Sequence, residues 1–264
     1  MNPLNITPST VLIFWLILAR VGGMVMTIPI IGSREVPVQV KIYFSLFLTL
    51  IIFPSIIQTQ AIPFPKGKEW IIFSLAISKE LLLGIILGYI TKLLFIGIEL
   101  AGQIIGFQMG FGIVNVIDPQ SETQVNIIGN FKSTLAIIIF LTLNAHYGFL
   151  KGIVDSFSQV PLLSFSINPP LIQKITSLVG NIFIISLKIG APVIVTLLVT
   201  QVVMGIISRL VPQMNIFMVS LPLKIGVGLI VISVSLPYFL YFLKGLFFNV
   251  YQDIMIILQT AGVR

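Results

Sequence analysis

Very few side chains in this sequence could do acid–base, nucleophilic or metal chemistry. The chain of 264 residues has one histidine, eight acidic residues and no cysteine, which excludes disulfides and thiolate metal sites. His146 could act as a proton relay because histidine changes charge near physiological pH. Beside Asn144 and Tyr147, it is more often a hydrogen-bonded packing residue. Because no paired carboxylates or nucleophile constellation accompany it, we predict neither an enzyme nor a cofactor or metal site.

Charged residues that interrupt apolar segments are the second chemical signal. A charge at the centre of a bilayer costs about 2.5–3.5 kcal/mol on insertion scales, so such residues should face protein or a wet pore. Some could instead extend to the membrane surface or pair locally, as Lys79 could with polar neighbours. Lys92, Lys132 and Arg209 also lie in or beside these segments. Those that we expect to make buried charge or polar contacts are Arg20, Glu80, Glu99, Lys188 and Lys224.

A glycine-rich apolar stretch lies at Ala101–Gln120. Gly102, Gly106 and Gly110 recur every four residues, so they share one helix face and allow another backbone to approach closely. The residues that follow carry no charge before Asp118, which is unusual for a loop expected to face water. The stretch predicts either a mobile apolar segment that closes against something apolar, or a packing helix followed by a buried re-entrant loop.

Composition indicates the class of protein. Hydrophobic residues make up 57% of the chain and charged residues 9%, with a mean hydropathy of +1.11. These values predict an integral membrane protein. The formal net charge of +7 comes from dispersed Lys and Arg without a basic stripe. It therefore favours contacts with a membrane surface or with other subunits, and no nucleic-acid partner.

The apolar periodicity predicts an all-α membrane protein of about six long helices. Several prolines within or beside these segments predict kinked helices. Basic residues occur in most of the intervening loops, so the positive-inside rule gives no clean orientation. The expected helices are Thr10–Ile31, which we take as a retained helix, Ile42–Ile57, Trp70–Leu100, Gln124–Leu150, Ile175–Leu210 and Ile216–Phe247.

Broken helices with intramembrane charges are also typical of secondary transporters of small solutes. Such transporters commonly contain inverted or parallel repeats, and this sequence has no convincing internal repeat. The oligomeric state distinguishes a transporter from a subunit of a larger protein assembly. A transporter should purify alone or as a small homo-oligomer, whereas a subunit of an assembly should copurify with other proteins.

Short motifs over nearly the whole chain resemble one family, the R component of the flagellar type III protein export gate (FliR) and its T counterpart in virulence secretion systems. The C-terminal part also resembles the helical hairpin of the gate's small Q subunit. The motifs that carry the resemblance are Ala19–Val21, Pro29–Ile30, Ser33–Pro37, Gly102–Gly106, Gln108–Gly110, Asp118–Pro119, Leu141–His146, Gly190–Pro192 and Leu221–Lys224.

The resemblance implies one export-gate subunit over residues 1–264, with a P-like portion at 1–170 and a Q-like hairpin at 175–264. It implies a helical hetero-oligomer with the P and Q proteins FliP and FliQ, forming the inner-membrane channel for unfolded flagellar export substrates. FlhB and FlhA would be neighbours. The assembly would belong to the flagellar basal body and be raised out of the lipid bilayer. The corresponding virulence subunit is the alternative within the family.

The resemblance also implies that the loop near residues 107–122 plugs the channel with apolar side chains. Some relatives carry aromatic residues where this chain has Ile113 and Val116, so the resemblance does not identify the side chain that seals the channel. We expect Gly102 and Gly106 to serve helix packing. The residues expected in the plug or its movement are Phe107, Met109, Gly110, Phe111, Gly112, Ile113, Val116 and Ile117.

Overall fold

Helices account for nearly all of the chain that the computed structural model describes, which comprises residues 8–59, 69–113 and 126–262. These residues contain no β-strand and a single isolated β-bridge, between Phe165 and Gly262. The all-α prediction is confirmed. The helices are α1 (Pro8–Thr27), α2 (Val38–Thr59), α3 (Glu69–Met109), α4 (Ile127–Thr142), α5 (Ala145–Gln159), α6 (Pro169–Leu210) and α7 (Ile216–Ala261), with a 3₁₀ turn at Phe111–Ile113.

The prediction of a single fourth helix was wrong, because two helices, α4 and α5, lie in this part of the chain. The chain bends by 70° between α4 and α5. Asn144 adopts a left-handed backbone with φ of 55° at the break, a conformation that asparagine tolerates better than most residues. The apolar pattern continues on both sides, so periodicity alone did not reveal the interruption.

The other expected helices are present, and four of them are longer than expected, among them α2, whereas α1 ends at Thr27 and not at the expected Ile31. Helix α3 continues past Leu100 to Met109, α6 begins at Pro169, and α7 continues to Ala261. Five helices are long and apolar enough to cross a membrane, or six if the bent pair forms one span. The helices continue through Pro54, Pro192, Pro222 and Pro237, whereas α1 ends before Pro29.

The chain divides into two compact units, and each combines segments that are distant in sequence. The first contains α1, α2, α3 up to Leu93, α5, α6 up to Leu178, and the end of α7 from Phe248. The second contains the rest of α3, α4, and the parts of α6 and α7 between Val179 and Phe247. The division into P-like and Q-like portions concerns relatedness to other subunits, so it stays a prediction.

Glycines allow α1 and α3 to cross closely in the first unit. A Cβ added to Gly84 would collide with the Arg20 carbonyl, and one added to Gly88 would collide with the Thr27 hydroxyl. These two glycines are four residues apart and therefore share a helix face. The close crossing places Arg20 of α1 beside the part of α3 that carries Glu80.

Arg20 is the polar centre of the first unit, and its side chain is fully buried. Its Nε donates to Oε2 of Glu80 at 2.6 Å, and Nη2 makes a charge contact with the same oxygen at 2.6 Å. Nη1 donates to the carbonyls of Ser156 and Val160 at the end of α5, at 2.9 and 2.8 Å. The guanidinium carbon lies 4.4 Å from the ring centroid of Phe157. One side chain thus joins α1, α3 and α5.

The Glu80 carboxylate extends the same network into the chain after α5. Its second oxygen accepts the backbone N–H of Leu163 at 2.9 Å, and the side chain is fully buried. Because both charges are paired with each other and with backbone groups, the network avoids the cost of an isolated charge in an apolar medium.

Aromatic and aliphatic side chains pack the second unit. The rings of Phe95, Phe140 and Phe247 form a triangle with centroid distances of 5.9, 5.8 and 5.2 Å. A separate cluster joins α3, α4, α6 and α7 through Ile105, Met109, Ile128, Val193, Leu197 and Ile232. The end of α3 is therefore fixed on three other helices.

Replacing Glu80 by alanine should leave the buried guanidinium of Arg20 without its carboxylate. We expect the free energy of unfolding to fall by about 3–5 kcal/mol, the usual effect of removing one partner of a buried ion pair. The double variant Arg20→Met/Glu80→Leu removes both charges, so its free energy of unfolding should fall by less than that of Glu80→Ala. Thermal unfolding of the detergent-purified chains, followed by tryptophan fluorescence, measures both variants. A single variant as stable as the double variant would contradict this role.

Candidate gating segment

The end of α3 is shaped by Gly110. This residue has φ of 95°, in the left-handed region that glycine adopts without strain, and its N–H donates to the Phe107 carbonyl at 3.1 Å. The chain then makes the 3₁₀ turn at Phe111–Ile113. Gly110 therefore ends the helix and redirects the chain, which is a specific structural reason for glycine at this position.

The apolar side chains around Gly110 have different environments. Phe107 is 73% exposed, Met109 is fully buried, and Phe111 is half-buried against the cluster that contains Met109. In this conformation Met109 fills the core of the second unit, and its expected part in occluding a channel stays a prediction. Only the backbone of Ile113 is described, and Val116 and Ile117 lie outside the described residues.

The Phe107 ring lies against the turn that follows it. A Cβ added to Gly112 would lie 3.1 Å from the Phe107 ring, so glycine leaves room for the ring. Met109 is held from another direction by Gly228 of α7, where an added Cβ would lie 2.8 Å from its Cε. Gly112 and Gly228 thus leave space for the side chains of Phe107 and Met109, respectively.

The glycines of α3 are not equivalent in packing. A Cβ on Gly102 would collide with the backbone of Gly129 in α4, whereas the nearest atom to a Cβ on Gly106 is 3.9 Å away, on the Phe111 ring. Asn126 strengthens the close contact of α3 and α4. Its Oδ1 accepts the Gly129 N–H at 2.8 Å and its Nδ2 donates to the Glu99 carbonyl at 3.4 Å.

The residues that pack against this segment were not predicted from the sequence. Gly129 and Gly228, which admit α3 and Met109, have no second glycine four residues before or after them, and only the Asn126 cap gave a local signal for the start of α4. The Gly84 and Gly88 pair had the same four-residue spacing as Gly102 and Gly106 and could have been found from it.

The charged residues expected in buried contacts separate into two groups. Arg20 and Glu80 form the buried pair, and Lys224 is half-buried with its Nζ donating to Gln201 Oε1 at 3.2 Å. Glu99 and Lys188 are exposed in the single chain, so the buried contacts expected for them stay a prediction.

Lys132 and His146 are further polar residues in apolar surroundings. The Lys132 side chain is 3% exposed, and its ammonium lies 4.5 Å from the ring centroid of Phe239. The His146 ring lies 4.3 Å from that of Tyr147, and its Nδ1 is buried without a hydrogen-bond partner among the described residues. Those residues contain no cluster of His, Cys, Asp or Glu that could hold a metal ion.

These features define a polytopic α-helical membrane protein with an apolar segment after a long packed helix. The chain matches the family model described as bacterial export proteins, family 1, over residues 11–250, and it belongs to this family. The export family inferred from the sequence motifs is confirmed. Together with the apolar helices, it identifies a multi-pass protein of the bacterial inner membrane and a component of an export apparatus.

Curated relatives resemble the chain over most of its length. It is 34% identical over 253 residues to the flagellar biosynthetic protein FliR of Bacillus subtilis (strain 168), covering 95% of this chain and 96% of the relative. The protein of the same name from Escherichia coli (strain K12) is 31% identical, with 92% of each chain covered. That of Aquifex aeolicus (strain VF5) is also 31% identical, with 83% of each covered.

Replacing Gly102 by alanine should separate α3 from α4, because the added Cβ would collide with the Gly129 backbone. We expect a loss of about 1–3 kcal/mol in unfolding free energy, typical of overpacking. Gly106→Ala is the matched control on the same helix and should remain close to the parent. Unfolding midpoints of the purified chains provide the comparison, and equal midpoints for the two variants would contradict the close crossing.

Proposed function

We propose that this chain is a subunit of the flagellar type III protein export gate. With FliP and FliQ it would form the inner-membrane channel through which unfolded export substrates pass, and FlhB and FlhA would be further neighbours. The protein would act as a conduit and catalyse no reaction. The flagellar assignment is supported by the names of its relatives, which are flagellar biosynthetic proteins.

The observation that carries this proposal is the length of the apolar hairpin in the second unit. Its two arms, residues 179–210 of α6 and 216–247 of α7, contain about 32 residues each and are therefore roughly 48 Å long. The hydrocarbon core of a bilayer is about 30 Å thick. The arms would need a tilt of roughly 50° to fit within it, beyond the range of about 0–40° seen for membrane helices.

Apolar side chains are exposed along the full length of both arms. Lipid can cover only part of this surface, so other apolar protein surfaces are needed for the rest. This favours a subunit of a hetero-oligomer over a transporter that works alone. Examples from end to end are Phe183, Val202 and Leu210 on α6, and Phe217, Val234 and Tyr241 on α7.

The exposed charges fit the same proposal. Glu99 and Lys188 are exposed on helices that are apolar enough to cross a membrane, where contact with lipid would be costly. In an assembly, polar groups of neighbouring subunits would pair with them. The buried contacts expected for these two residues would then form between chains.

We assign the gating role to the segment that begins at Phe107. The buried Met109 would anchor it and Gly110 would set its direction, while Phe107, Phe111 and the apolar residues that follow would obstruct the channel. Gly112 would admit the Phe107 ring. This assignment rests on the exposure of Phe107, because an occluding residue must project from the packed part of its own chain.

Coexpression with FliP and FliQ tests the assignment to the gate. The expected result is a mixed complex that contains this chain, observed by native mass spectrometry after purification in detergent. The apolar area of the hairpin that lipid cannot cover would be buried in that complex. A stable species containing this chain alone, with both partners expressed in the same membranes, would instead support a transporter.

Replacing Phe107 by alanine should increase leakage through the assembled gate, since a large apolar group is removed from the obstruction. Single-channel conductance of the purified complex in planar bilayers measures the leak. Tyr43→Ala is the control, because Tyr43 is a similarly exposed aromatic residue on α2. Unchanged conductance in a fully assembled Phe107→Ala complex would remove Phe107 from the plug.

A further inference from the structure

An apolar cavity of about 260 Å³ lies in the first unit between α3, α6 and α7. Its floor is formed by Ile90, Leu93 and Ile257, which are buried, and Ile175 of α6 contributes to its wall. Its rim includes Ile85 and Tyr89, whose side chains are exposed. The cavity is thus open on the outer surface of helices that are apolar enough to cross a membrane.

The chemistry of the lining determines what could fill this space. Protein interiors contain few voids larger than a water molecule, and water in an apolar cavity lacks hydrogen-bond partners. A closed apolar cavity of roughly 150 Å³ stays dry and takes up benzene. A larger cavity of the same character that opens on the surface of apolar helices is suited to a flexible hydrocarbon chain.

Lys92 supplies a positive charge beside the rim. Its ammonium lies 5.8 Å from the ring centroid of Tyr89, which itself lines the cavity. The Lys92 side chain is exposed, and among the described residues no carboxylate forms an ion pair with it. Lys174, which precedes the wall residue Ile175, is instead paired with Asp253 at 3.3 Å. Lys92 is therefore available to an anionic group at the rim.

We infer that this cavity binds an anionic phospholipid, with part of one acyl chain inside it and the phosphate beside Lys92. The apolar floor of the cavity would contact the acyl chain. The exposed Tyr89 would lie at the interface between acyl chain and headgroup, and Lys92 would contact the phosphate. Tyrosine is common at membrane interfaces, and the net charge of +7 on the chain adds to the attraction of anionic headgroups. The site is separate from the gating segment and does not depend on the proposed channel.

Lipid binding to the full-length purified chain tests this inference. The delipidated protein is titrated with phosphatidylglycerol and with phosphatidylcholine of the same acyl chains, and bound lipid is counted by native mass spectrometry. We expect one phosphatidylglycerol to bind at least about fivefold more tightly than phosphatidylcholine, the effect of one lysine near an anionic headgroup. Equal binding of the two lipids would overturn the inference.

Two variants separate the charge from the cavity. Lys92→Gln should abolish the preference for phosphatidylglycerol, whereas Lys79→Gln, which removes another exposed lysine of α3, should retain it. Ile175→Trp should fill the cavity and reduce the binding of both lipids. A preference that survives Lys92→Gln, or undiminished binding by folded Ile175→Trp protein, would contradict the site.

Photo-crosslinking locates the lipid without any substitution. Phosphatidylglycerol with a photoreactive group on its acyl chain should label peptides that contain residues 85–93 or 175–178. Labelling confined to other helices would overturn the inference even if Ile175→Trp failed to fold. FliP and FliQ are absent from these experiments, so the result does not depend on whether the chain forms an export gate.

Discussion

The absence of water from the bilayer core is the constraint on which the rest of this structure depends, and the Arg20–Glu80 pair shows how the chain meets it. Two full charges are kept inside an apolar unit because each also binds backbone groups at or beyond the end of α5. Those backbone groups would otherwise need partners of their own. One ion pair therefore satisfies the polar end of a helix and fixes three helices together. The glycines at the crossing of α1 and α3 make the contact possible by letting the two backbones approach.

The second unit is held mainly by apolar packing, and its strongest constraint acts at the end of α3. Met109 is enclosed by residues of three other helices, and Gly110 changes the direction of the chain one residue later. The buried side chain of Met109 and the exposed side chain of Phe107 therefore lie only two residues apart in the chain. A segment of this kind can present Phe107 outward while its base remains part of the core. This combination is what a closure element on a rigid scaffold requires.

Composition and periodicity were sufficient to predict the class of protein and most of its helices, because apolar segments of this length have few alternatives in a membrane. The break between α4 and α5 was not predicted because it depends on the conformation of one residue, Asn144, within a continuous apolar run. The close contact at Gly102 depends on Gly129, and the burial of Met109 depends on Gly228. Such pairings join distant parts of the chain, and a single sequence does not encode them as a local pattern. Likewise, charge alone could not separate the buried Glu80 from the exposed Glu99.

The unusual length of the α6–α7 hairpin also has a consequence for how the cell makes this protein. In the proposed gate, the hairpin would enter the membrane before another subunit could shield it, so a newly made chain would carry apolar surface beyond the reach of lipid. Surfaces of this kind attract chaperones, proteases and other unfolded chains. A copy without partners would therefore be short-lived, and the number of surviving copies would follow the supply of the proteins that cover it. Subunit balance would thus be enforced by degradation of orphans, without a dedicated regulator.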